Sequence, residues 1–211
     1  MPPEVVGNRR KLLVSDQAGR SNILAELDRI GMPVPKDDPR IARLLDEVKE
    51  REAKGYAYEA ADASFELLAR RIFGNLPQFF EVESFRVMVE RRHNALGELV
   101  TVSEATVKVR IDGESVMNAG EGNGPVHALD NALRKDLGRY QRYISDLDLV
   151  DYKVRVLTGG TAATTRVLIE SRDGKGNRWF TVGVSPNIVD ASFEALLDSI
   201  NYKLIRDAAP A

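Results

Sequence analysis

Three glycines at alternate positions, Gly120, Gly122 and Gly124, precede a proline and the helix-like run VHALDNALRK. Glycine frees the backbone to turn and lets a ligand approach it closely. Pro125 is preorganised for a first helical turn. The leading amides of that helix carry partial positive charge, so the stretch could receive a carboxylate or a phosphate. The order G-x-G-x-G is not the dinucleotide fingerprint, no Gly-Lys-Ser/Thr follows, and Glu121 would repel a phosphate. A small ligand with one carboxylate fits better, with Val126 and Leu149 as apolar neighbours. The alternative is a tight strand-to-helix turn that binds nothing.

The remaining reactive residue types assemble no active site. His93 and His127 have no H-x-x-H or H-x-E partner, so no metal site is expected. A G-x-S-x-G elbow is absent. Asp146, Asp148 and Asp151 match no calcium loop and read as a solvated strand start. Tyr56 and Tyr58, beside Gly55, read as packing or surface aromatics. The chain has no cysteine, which excludes thiolate zinc sites, disulfides and cysteine nucleophiles.

The elements that must position the glycine turn follow from periodicity. Residues 1–36 read as irregular and partly extended, with one short helix capped by Ser21 or Asn22 and stopped at Gly31. MPVPKDDP is a linker. A helix from Asp38 to Gly55 carries Ile41, Leu44, Leu45 and Val48 on one stripe, and a second carries Ala61, Phe65, Leu68 and Ile72. These helices have too few apolar residues to bury much core alone. Beyond GNLPQFF the period changes from 3.6 to 2. FEVESFRVMVERR, ELVTVSEATVKVRI and ESVMNAG read as strands, followed by a helix over 125–137. LDLVDYKVRVLT, TTRVLIESRD and NRWFTVGV repeat the pattern, with a final helix over 187–205.

The order is strand-strand-strand-helix, twice. An offset of 63 lays Gly120 on Gly183, Val126 on Val189, Ala128 on Ala191, Ala132 on Ala195 and Leu133 on Leu196. The expected fold class is therefore α+β: a duplicated βββα domain with pseudo-twofold-related units, preceded by small helical linker subdomains. The boundaries are 1–36 and 37–75 for the linker subdomains and 79–211 for the duplicated domain. Its repeats are 79–140 and 146–206. A net charge of −2 with both signs interspersed argues against nucleic-acid binding. No apolar run reaches the ~18 residues of a membrane span, and the N-terminus lacks a signal-peptide core, so a cytoplasmic protein is expected.

The stretches VGNRRKLLVSDQAGRSNIL, GYAYEAADASFELLARR, AGEGNGPVHALDNALRKDL, LVDYKVRVLTGGTAATTRVLIESRDG and VGVSPNIVDASFEALLDSINYKL cover nearly the whole chain. They resemble the C-terminal half of the citramalate synthase and 2-isopropylmalate synthase family of Claisen-condensing acyltransferases. GRSNI and GTAATTRVLIESRDG favour the citramalate group. The resemblance implies a catalytic TIM barrel, preceding these residues, that holds acetyl-CoA, a 2-oxo acid and a divalent metal. Such a barrel needs about 250 residues of alternating strand and helix. None is present here, so this chain, taken as a piece of a longer polypeptide, is expected to hold no cofactor and to be inactive alone.

The resemblance further implies a homodimer in which an end-product amino acid, isoleucine or leucine, inhibits by binding between the repeats. Its charged end would meet Gly122, Gly124, Val126 and His127. Leu149, Tyr152, Val156, Ala163 and Ile188 would surround its side chain. Val126 is β-branched where leucine is common in the isopropylmalate group, and His127 stands in place of a small residue. Tyr58 matches a family position that reaches the partner's barrel, and Arg20 is carried over with it. For Arg20 a linker salt bridge is the alternative.

Overall fold

The computed structural model describes residues 19–160 and 163–210, so the extended reading of the first residues lies outside it. Three helices come first: α1 (Arg20–Arg29), α2 (Arg40–Ala53) and α3 (Asp62–Ile72). They are followed by β1 (Glu81–His93), β2 (Leu99–Ile111), β3 (Glu114–Gly122) and α4 (Pro125–Arg134). After a short α5 (Gln141–Ile144) come β4 (Asp148–Val156), β5 (Thr165–Arg172), β6 (Arg178–Ser185) and α6 (Ile188–Arg206). The strands form two antiparallel sheets, β1-β2-β3 and β4-β5-β6. The architecture is α+β with a duplicated βββα unit.

Two boundaries differ from the sequence reading. Gly19, not Ser21 or Asn22, precedes α1; its carbonyl accepts the amide of Asn22 at 3.0 Å, and no side chain caps the helix. The helix expected over 125–137 ends at Arg134 because Gly138, with φ +55°, turns the chain into a 3-10 segment ahead of α5. Among the described residues Arg20 forms no salt bridge: it donates to the Lys36 carbonyl at 2.6 Å, tying the start of α1 to the chain ahead of α2.

The alternation of each sheet decides what it buries. Ala105, Val107, Val109 and Ile111 of β2 face α4, while Val167, Ile169 and Trp179 face α6, and these groups join one core. Phe85 of β1 stacks on Phe193 of α6 with centroids 4.4 Å apart, so the two repeats interlock. The linker helices have a second core, in which Ile23, Leu27, Ile41, Leu44, Phe65 and Leu68 close around Val182 of β6. Their shortage of apolar surface is thus made up by the far face of the second sheet.

The outer edge of β6 is covered by the same helices. Phe180 donates its amide to the Asp62 carboxylate at 3.2 Å, and Val182 donates to the Ser64 hydroxyl at 3.0 Å. An edge strand finished in this way offers no open ladder to another chain. At the far end of α6, the buried Lys203 ammonium lies 3.0 Å from Asp146 and 2.7 Å from Asp207. The three aspartates near the start of β4 are therefore separately engaged: Asp146 with Lys203, Asp148 with Arg172 at 3.1 Å and Asp151 with Lys153 at 2.6 Å.

Candidate ligand cleft between the repeats

The glycine turn has two jobs, divided among its glycines. A Cβ on Gly120 would lie 2.5 Å from the Ala132 nitrogen, and one on Gly122 would lie 2.5 Å from the Ala128 nitrogen. Both positions hold β3 close under α4, so their lack of a side chain is a packing requirement. Gly124 is different: no atom lies within 4 Å of its would-be Cβ, and its backbone is extended. It is the residue before α4, and no side chain caps that helix. The Ala128 amide donates to its carbonyl at 3.0 Å, while the Asn123 amide donates to Nδ1 of His127 at 3.3 Å. In the second repeat, by contrast, Asn187 caps α6 by accepting the Val189 amide at 2.9 Å.

Beside the start of α4 lies a cleft of about 440 Å³, with walls from both repeats. Val126 and His127 come from α4, and Leu149 and Tyr152 from β4. A register irregularity between Leu149 and Asp151 lies within that strand. Tyr152 is held from behind: its hydroxyl lies 2.8 Å from that of Ser192, which itself donates to the Ile188 carbonyl at 2.6 Å. Burial pushes the Tyr152 phenol up, against the opposing pull of the Ser192 hydrogen bond, so the group is a neutral donor or acceptor at neutral pH.

Asp130, Arg134 and Asp148 complete the lining, and the sequence reading did not select them. Val126, Asp130 and Arg134 recur every fourth residue, which puts them on one stripe of α4; that spacing was the available signal. Arg134 pairs with Asp130 and donates to the Leu147 carbonyl, while its buried Nε has no partner among the described residues. The cleft therefore combines unoccupied helix-start amides, carboxylates and an apolar wall. That set suits a small zwitterion with an apolar side chain.

The other selected residues lie elsewhere. Gly122 and Gly124 flank the cleft without lining it. Val156 is 62% exposed at the end of β4 and Ile188 is 43% exposed at the start of α6. Alternation along β4 puts Val156 on the same face as Tyr152 and Val154, so an apolar strip runs on from the cleft toward Val156. Ala163 lies in the β4–β5 connection, partly buried. Tyr58 is 3% exposed within the linker core, stacked on Tyr56 at 5.9 Å and edge-on to Phe65 at 6.3 Å. Burial pushes its phenol up. Among the described residues, no group of three acidic or histidine side chains could hold a metal ion.

Comparison with known proteins adds the family. Residues 59–204 match the model of the LeuA allosteric (dimerisation) domain. An (R)-citramalate synthase of Geobacter sulfurreducens is 52% identical over 204 residues, which cover 96% of this chain and 38% of that protein. One from Aquifex aeolicus is 46% identical over 97% of this chain and 38% of its own length. A 2-isopropylmalate synthase of Methanocaldococcus jannaschii is 29% identical over 98% of this chain and 38% of that protein. The chain thus spans well under half the length of these relatives.

Proposed function

The chain belongs to the LeuA allosteric (dimerisation) domain family, and on that premise we propose that it is the sensing end of an acetyl-CoA-dependent Claisen-condensing acyltransferase. The enzyme is an (R)-citramalate synthase, joining pyruvate to acetyl-CoA toward isoleucine, and the effector is the end-product branched-chain amino acid. The carrying observation is the α4–β4 cleft, where Val126 and His127 of one repeat meet Leu149 and Tyr152 of the other. The effector carboxylate docks on the leading amides of α4, its ammonium turns toward Asp148, and its side chain lies against Val126, Leu149 and Tyr152.

Catalysis belongs to a TIM barrel in the longer protein. That barrel, and not this chain, holds acetyl-CoA and the divalent metal. The chain acts as a homodimer: a second copy covers the strip of Val154, Val156 and Ile188 beside the cleft, so binding and subunit packing are coupled. An effector that prefers one packing by ~1–3 kcal/mol changes affinity about 5–150-fold. The linker helices, packed on β6, carry that preference toward the barrel, and the protein works in the cytoplasm. Among the described residues no helix is long and apolar enough to cross a membrane.

Thermal melting with isoleucine, leucine and valine tests the reading. A ligand that binds only the folded chain raises its melting temperature. Isoleucine is expected to give the largest rise; a larger rise with leucine would reassign the protein to the 2-isopropylmalate synthase group. No response to any of the three at millimolar concentration would remove the sensing role. The packing of Gly120 and Gly122 favours what would then remain, a dimerisation module whose glycine turn binds nothing.

A further inference from the structure

A second cavity, of about 450 Å³, lies where the chain leaving α3 crosses α6, away from the α4–β4 cleft. Leu67, Leu76 and Phe80 give it an apolar wall, and Arg71, Asp198 and Asn201 reach it with polar groups. Arg71 is exposed, and its guanidinium makes no ion pair or hydrogen bond with any described residue. Asp198 is partly buried and accepts one hydrogen bond, from the Ser64 hydroxyl at 2.7 Å. No cation among the described residues lies within ion-pair distance of it. Two opposite charges thus line one cavity without meeting.

The surroundings of Asp198 leave it short of a positive partner. Burial pushes its carboxyl up to about 7 and Glu194 adds to the rise, while the Ser64 hydrogen bond, Arg71 and Arg51 oppose it. On the inner side of Asp198 is an enclosed hollow of about 130 Å³ that Arg51, Tyr56 and Glu194 also line, and Arg71 borders it as well as the outer cavity. The first three are already engaged: Tyr56 donates to Glu194 at 2.6 Å, and Arg51 pairs with Glu47 at 2.7 Å. The outer cavity, at about 450 Å³, has the room that the inner hollow of about 130 Å³ lacks, so a ligand that reaches both Asp198 and the unpaired Arg71 guanidinium enters from there. A molecule carrying both charges on an aliphatic stem satisfies each group and uses the apolar wall between them.

We propose that this cavity binds a small aliphatic amino carboxylate, its ammonium on Asp198, its carboxylate on Arg71 and its methylenes against Leu67, Leu76 and Phe80. The site is separate from the α4–β4 cleft. It joins α3 to α6, so its occupancy braces the linker against the duplicated domain.

The probes are β-alanine, 4-aminobutyrate and 5-aminovalerate, which differ in the methylenes between their charges and lack the branched side chain of the proposed effector. Amide NMR titration of this chain reads the binding. At least one probe is expected to shift the amides of Leu76, Gln78 and Asn201 at millimolar concentration. Asp198→Asn and Arg71→Gln should each weaken that probe about tenfold or more, and Leu149→Ala should leave it unchanged. Both charge variants should fold, because Arg71 is exposed and an asparagine can keep the Ser64 hydrogen bond. No shift at those amides with any probe, or parent-like binding by both charge variants, overturns the proposal. Loss of binding in Leu149→Ala alone also overturns it, by placing the probe in the other cleft. The isoleucine response is read with a different ligand, so either site can fail while the other stands.

Discussion

Tyr56 donates its hydroxyl to Oε1 of Glu194 at 2.6 Å, and Oε2 of the same carboxylate accepts the Val184 amide at 3.1 Å. One side chain of α6 thereby holds both the linker and the edge of β6. Hydrogen bonds to a charged group contribute about 1.5–3 kcal/mol, and partial exposure places this one at the lower end. Tyr56→Phe should therefore loosen the linker while leaving the duplicated domain folded. Hydrogen exchange is the measurement: amides of α2 and α3 should exchange faster, and those of β2 and β5 should not. Uniform acceleration across both cores would mean that the linker and the domain unfold as one unit.

Gly120 and Gly183 perform the same task in the two repeats. A Cβ on Gly120 would sit 2.9 Å from the Ala128 carbonyl oxygen, and one on Gly183 would sit 2.0 Å from that of Ala191. These obstacles are helix backbone and cannot swing aside. Gly183→Ala should cost about 3 kcal/mol or more, at the severe end of overpacking. Gly124→Ala, with open space and an extended backbone, should stay within about 0.5 kcal/mol. Urea unfolding of the two variants beside the parent checks the ranking.

That contrast also marks what local sequence could convey. Strand alternation, helical stripes and turn glycines are short-range signals, so the two βββα units and the start of α4 were legible. So was the meeting of Val126 and His127 with Leu149 and Tyr152, through the family resemblance. The division of labour among Gly120, Gly122 and Gly124 was not legible, because it depends on how near α4 lies to β3. Asp62 and Ser64 capping the edge of β6 could not be read either: each contact spans 118 residues of chain. The family resemblance also implies Val156 and Ile188, which the geometry puts beside the cleft on an open strip rather than in its lining.

Asp198 sets the sign of a pH dependence. Its carboxyl is held at about 7 in the folded chain, chiefly by burial, against an ordinary value of 3.8. Between those values the folded chain keeps a proton that the unfolded chain has released. Its contribution therefore favours folding at low pH, declines as pH rises from about 4 through about 7, and is constant above that. Asp198→Asn removes the titration while keeping the shape. The variant should be more stable than the parent near pH 8, and the gain should shrink toward about pH 4. Urea midpoints at the two ends of that range test it; a gain that grows on acidification would refute the assignment.

Leu149 offers the cleanest test of the α4–β4 cleft, because it lines the cavity yet is 36% exposed and absent from either buried core. Leu149→Ala removes apolar wall worth roughly 1–2 kcal/mol to a bound side chain, while its partial exposure limits the loss of stability. Isoleucine should bind about tenfold more weakly to a chain that melts nearly as before. Val126→Leu provides the opposite perturbation: it adds a methylene to the wall and leaves less room for the ligand. A methylene in an apolar pocket discriminates by about 1–3 kcal/mol, so the larger isoleucine should lose more than valine. Calorimetric titration of both variants with both amino acids separates the outcomes. Unchanged affinities in both would show that the effector does not rest against this wall.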